Sequence, residues 1–190
     1  MIAWIIGAAA VAVLMVVLVA QKTGPTAQPS GAPPAGMGGA AATSDISSMS
    51  PRERADRLFD RVMRAAAAGD SGEISFFAPM AVQSYGMLDA MDVDARYHVG
   101  LLEAEIGNFT GVLAQADSIE QATAAHLFVA MLRGEAARGQ GNQTELTRWY
   151  RRFLDGYDRE LATDRPEYRD HQPALNAFRD AARAALGAGR

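Results

Sequence analysis

Cysteine is absent from all 190 residues. That excludes disulfides, a thiolate metal site and a cysteine nucleophile, and it is compatible with either side of a membrane. Lysine is nearly absent: Lys22 stands alone, and the other 17 of the 18 basic residues are arginines. Residues 1–20, MIAWIIGAAAVAVLMVVLVA, contain no charged side chain at all. An excess of positive charge is also lacking. The net charge is −4, and since Lys22 and Asp45 cancel within residues 1–50, the remainder carries 17 basic against 21 acidic groups. Such a balance argues against nucleic acid as a partner, because its binding modules concentrate positive charge.

Several catalytic signatures are missing. There is no H-E-x-x-H zinc helix and no G-x-S-x-G elbow. Gly139-x-Gly141 is a fragment of a phosphate loop with no strand before it, and it suits a turn between helices. His98, His126 and His171 are scattered, without metal or triad spacing, and His98 and His126 are expected at helix packing edges or the surface. Asp89, Asp92 and Asp94 lack the glycine of a calcium loop, so helix capping accounts for them. Asn108-Phe109-Thr110 and Asn142-Gln143-Thr144 match the glycosylation sequon, but their equivalent places favour turn and cap chemistry. No catalytic residue, metal or cofactor is expected, and the protein is not expected to be an enzyme.

What is present begins with the apolar run. Twenty residues at about 1.5 Å rise give roughly 30 Å of helix, enough to cross the hydrocarbon core. A cleaved secretory signal is the competing reading. No basic residue precedes the run, and Leu18-Val19-Ala20 is a poor small-x-small cleavage site, so a transmembrane anchor is the expectation. Lys22 on its C-terminal flank would by itself put the domain in the cytoplasm. Residues 21–50, rich in Pro, Gly, Ser and Ala, read as a flexible tether with a reach of roughly 30 Å. Its likeness to the tethers of exported bacterial domains tips the expectation to the extracytoplasmic side.

Residues 51–190 carry helical periodicity throughout. Ser50, Pro51 and Glu53 form a start signal with a capping box. Ala55, Leu58, Phe59, Val62, Met63 and Ala66 follow on one face, and Gly69 ends the helix. A second helix is expected from about Gly72 to Leu88, kinked at Pro79, which cannot bond to Ser75. Asp92 or Asp94 caps the third. The next pair is expected from about Gln121 to Arg138 and from Gln143 to Leu161. Leu146, Trp149, Tyr150, Phe153, Leu154, Tyr157 and Leu161 draw a stripe along the latter. A polar loop leads to a last helix from Pro173.

Gly100, Gly107, Asn108 and Thr110 recur 34 positions later as Gly134, Gly141, Asn142 and Thr144. A period of about 34 residues with helix–turn–helix content resembles the tetratricopeptide repeat. Val99-Gly100, Gly107, Phe109, Val112 and Ala116 carry the likeness in the first copy. The second departs at Arg133, Gln143 and Tyr150, and the proline that closes the family's motif is missing from both. The resemblance implies an all-α fold of about seven helices in antiparallel hairpins, with a C-terminal capping helix. It implies a concave groove lined by Phe59, Met63, Asp94, Tyr97, Leu101, Glu105, Phe128, Met131, Glu135 and Arg138. Such a face suits an extended or helical peptide. The competing reading packs Leu101, Phe128 and others against the neighbouring first helix.

The expected function is protein–protein interaction by a membrane-tethered adaptor. An accessory subunit of a larger membrane complex is the second reading, with Gly7 and Ala8-Ala9-Ala10 as a small-residue packing face. A helical enzyme is the third, opposed by the lack of convergent titratable residues.

Overall fold

The computed structural model describes residues 49–187, which form an all-α array. The expected anchor (1–20) and all but the end of the expected tether (21–50) lie outside the described residues. Among the described residues no helix is long and apolar enough to cross a membrane.

Within the described residues eight helices follow one another: α1 (Pro51–Ala68), α2 (Ser71–Gly86), α3 (Val93–Glu105), α4 (Phe109–Ala122), α5 (Leu127–Gly139), α6 (Gln143–Leu161), α7 (Pro166–Asp170) and α8 (Gln172–Gly187). The capping box forms as read: Glu53 N–H donates to Ser50 Oγ at 3.2 Å, and Ser50 N–H donates to Glu53 Oε2 at 2.7 Å. Asp92, not Asp94, caps α3, accepting from Ala95 N–H at 2.7 Å. Helix α2 is continuous across Pro79.

Two boundaries differ from expectation. Helix α4 runs on to Ala122, and α5 begins at Leu127 rather than near Gln121. His126 caps α5 through its own ring, and the Leu127 N–H donates to the hydroxyl of Tyr168 at 2.9 Å. Within the expected polar loop stands α7, one short turn of helix that buries Tyr168.

The hairpins repeat at the level of hydrogen bonds. Gly107 and Gly141 both adopt left-handed backbone, φ 74° and 67°. Asn108 N–H reaches Glu103 C=O at 2.8 Å, as Asn142 N–H reaches Ala137 C=O at 2.8 Å. Each Asn side chain then caps the next helix at 3.2 Å, from Gly111 and Glu145 N–H respectively. Gly69 (φ 71°) and Asp70 build the same turn at the end of α1, with Asp70 N–H to Ala65 C=O at 2.9 Å. Only a residue tolerant of left-handed backbone closes a helix this way, and glycine does so without a Cβ penalty. The α1–α2, α3–α4 and α5–α6 hairpins therefore share one turn design.

Their stacking repeats as well. Gly100 on α3 is where Leu132 of α5 lies; a Cβ there would sit 2.6 Å from Leu132 Cδ2. Gly134 on α5 receives Phe178 of α8 in the same manner, at 2.8 Å from Cζ. Helix α8 thus covers the last hairpin as a terminal cap. One apolar cluster joins α1, α2 and α3 around Phe59, Val62, Tyr85 and Leu102. A second joins α3 to α8 around Tyr97, Phe128, Leu132, Phe153 and Phe178.

Candidate functional site

The first helices of the three hairpins, α1, α3 and α5, present side chains that meet around two histidines. Asp94 and His98 stand four residues apart on α3, hence on one face of the helix. His171 comes from the corner between α7 and α8. Asp94 Oδ1 lies 2.7 Å from His171 Nε2 and 3.7 Å from His98 Nε2, and the two Nε2 atoms are 3.2 Å apart.

The surroundings fix these rings. His98 stacks on Phe59 with centroids 4.0 Å apart and planes at 15°. Its Nδ1 is 2.8 Å from the Tyr85 hydroxyl, and that hydroxyl donates to Asp56 Oδ1 at 2.5 Å. Since the Tyr85 proton is committed to Asp56, His98 Nδ1 carries a proton and its Nε2 offers a lone pair. Burial pushes His98 below its ordinary value, which favours this neutral form. Arg52 bonds Asp56 at 2.9 Å and Asp92 at 3.1 Å, and it also meets Asp94 Oδ2. Burial acts to raise the Asp94 carboxyl, yet the hydrogen bond from His171 and the electrostatic influence of the neighbouring His98, His171 and Arg52 side chains outweigh it, giving about 2. Burial, with the Asp56 carboxylate second, pushes the Tyr85 hydroxyl well above its ordinary value, so it remains a donor.

The expected groove residues fall into three groups. Phe59, Tyr97, Phe128 and Met131 are buried; Met63, Asp94, Leu101, Glu135 and Arg138 are partly covered; Glu105 is exposed. Tyr97 and Phe128 stack on each other, and His171 meets both edge-on, at 5.1 and 5.3 Å between centroids. Tyr168 closes over Phe128 at 5.7 Å. The expectation that Tyr97, Phe128 and Met131 line an open peptide groove is therefore corrected. The reason is physical: α7 and its following corner bury this apolar face within the chain itself, as α3 and α5 bury it against each other.

The expectation for His98 and His126 is a packing edge or the surface. His98 and His126 are instead buried, and His126 Nδ1 accepts from Phe128 N–H at 3.2 Å while Nε2 faces Glu167 Oε1 at 3.1 Å. This cluster was missed in the sequence: the i, i+4 spacing of Asp94 and His98 is a local signal that could have pointed to it, whereas His171 lies 73 residues from His98 and nothing local connects them.

A separate open groove of about 690 Å³ runs along α1 and α2. Arg54, Arg57, Arg61 and Arg64 line it with Leu58, Ala65 and Ala68, and Asp70 and Glu73 are the acidic groups among its lining. Arg61 pairs with Glu73 at 2.8 Å and lies 3.6 Å above the Phe77 ring. Spacings of three and four residues put these arginines on one helical face. That stripe, too, could be read from the sequence.

Comparison with known proteins finds no matching family model, no similar curated protein and no similar solved structure.

Proposed function

We propose that the chain is a membrane-tethered protein–protein interaction scaffold built from tetratricopeptide-like hairpins. The observation that carries this reading is the shared turn at Gly69-Asp70, Gly107-Asn108 and Gly141-Asn142, with its repeated backbone bonds. Stacked hairpins of this kind offer extended surfaces whose side chains vary while the frame persists.

The binding surface is the α1–α2 groove rather than the covered face of α3 and α5. Four of the 17 arginines of a net-acidic chain are gathered there. Apolar Leu58, Ala65 and Ala68 lie between them, and Met80 on α2, exposed at 44%, shares the helix side of Glu73 and Ser84. Arginine heads around an apolar floor fit an amphipathic segment rich in Asp and Glu, with charge setting the approach and apolar contact the residence time. The partner is accordingly an acidic segment of another protein.

Crosslinking of the full-length chain in its native membranes, followed by mass spectrometry, tests this. The double variant Arg57→Glu, Arg64→Glu should lose the recovered partner while its helical content stays that of the parent. Recovery of the same partner in the same yield would remove the groove from consideration.

A further inference from the structure

We propose that Asp94, His98 and His171 form a binding site for one divalent transition-metal ion, with zinc the fitting choice. These three ligand atoms lie within 4.8 Å of one another. Their separations of 2.7, 3.2 and 3.7 Å average near the edge of a zinc tetrahedron, which is about 3.3 Å for bonds of about 2.0–2.1 Å. A point about 2 Å from all three atoms exists just off their plane, the distance Zn–N and Zn–O bonds require.

The proton count agrees with the distances. His98 Nε2 bears a lone pair, because its Nδ1 proton is held by Tyr85. His171 Nε2 faces both that lone pair and the Asp94 carboxylate, so a single proton has to serve two acceptors. Replacing that proton by a cation lets all three atoms donate at once. Imidazole and carboxylate are the ligand types that zinc accepts, and calcium or magnesium would call for oxygen donors throughout.

The outer partners are those that metal sites use to aim their ligands. Tyr85 and Asp56 hold the far nitrogen of His98, and Arg52 holds Asp94 through its other oxygen. Phe59 fixes the plane of His98 by stacking. A hollow bounded by Asp94, Asp92, Pro166 and Glu167 opens beside Asp94. Two ligands stand on α3 and the third on the α7–α8 corner, so an ion here fastens the C-terminal segment over Tyr97 and Phe128. The site is independent of what the α1–α2 groove binds.

The test is zinc titration of the purified full-length chain in detergent against a chromophoric chelator, with cobalt substitution to report coordination. One zinc per chain and the intense visible bands of four-coordinate cobalt are expected. Asp94→Asn and His171→Gln should each weaken binding by more than about 100-fold, beyond what loss of an outer partner costs, and Tyr85→Phe by about 10–100-fold. His126→Asn should bind as the parent does. Absence of stoichiometric zinc binding by the parent chain overturns the site, as does parental affinity in His171→Gln or Asp94→Asn. Should one of these variants lose its helical circular dichroism, the other and Tyr85→Phe decide on the same criterion.

Discussion

Tyr97 of α3 and Phe128 of α5 lie ring on ring, centroids 4.0 Å apart and planes at 16°, and both are closed off from solvent. Two hairpins are joined by that contact, and His171 seals it from the side. Aromatic pairs of this kind add to the stability that their buried area supplies.

Removing one ring should therefore weaken the fold rather than a binding event. Tyr97→Ala is expected to lower the free energy of unfolding by about 3–5 kcal/mol, the range for large aromatic truncations in cores. Tyr97→Glu should be worse still, since it buries an unpaired carboxylate. Urea denaturation followed by circular dichroism measures both. An unchanged midpoint would mean that this face is open after all.

Gly100 and Gly134 offer a matched pair. A methyl group at either position meets a large side chain of the next helix in the stack, Leu132 or Phe178. Alanine at each site should cost about 1–3 kcal/mol through overpacking, despite its better helix propensity. Similar losses from the two variants are expected because the settings are equivalent. A gain in stability at one and a loss at the other, read from denaturation midpoints, would separate the two hairpins.

His126 governs a pH dependence. It is buried; burial lowers its pKa from the ordinary 6.5, against the opposing pull of Glu167 and Glu160, while Arg165 lowers it further. Its Nδ1 must stay unprotonated to accept from Phe128 N–H. Above pH 6.5 both folded and unfolded chains hold it neutral, and its contribution is fully present. As pH falls below 6.5, the unfolded chain takes up the proton first, so stability drops towards the lower folded value, by at most about 1.4 kcal/mol per pH unit. Unfolding free energies of the parent and His126→Asn, compared between neutral and mildly acidic pH, should show the parent losing more. Equal losses would mean that His126 titrates freely.

Much of this fold was legible because its signals are local. The stripe from Leu146 to Leu161 and the caps at Asn108 and Asn142 each lie within a few residues, and helix α6 has the bounds that its periodicity implies. The α4–α5 boundary was hidden, since Thr123-Ala124-Ala125-His126 contains neither glycine nor proline. It is fixed from afar, by a Tyr168 hydroxyl 41 positions away. Helix α7 has five residues, too few to show a period. The covered face of Tyr97 was misread for the same reason, because the corner that covers it is brought back by tertiary packing. Two of the three residues of the Asp94–His98–His171 cluster stand one helical turn apart on α3, a local spacing, and the third required the fold.

The central claim, a scaffold whose α1–α2 groove takes an acidic segment, is tested most directly by a photoreactive side chain at Ser84, which lines that groove. The same group at Asp155, on the exposed side of α6, serves as the control. In native membranes the full-length chain should crosslink from position 84 to one protein, at a peptide rich in Asp and Glu, and position 155 should not. Crosslinks from both positions alike, or from position 84 to peptides without acidic character, would contradict the account.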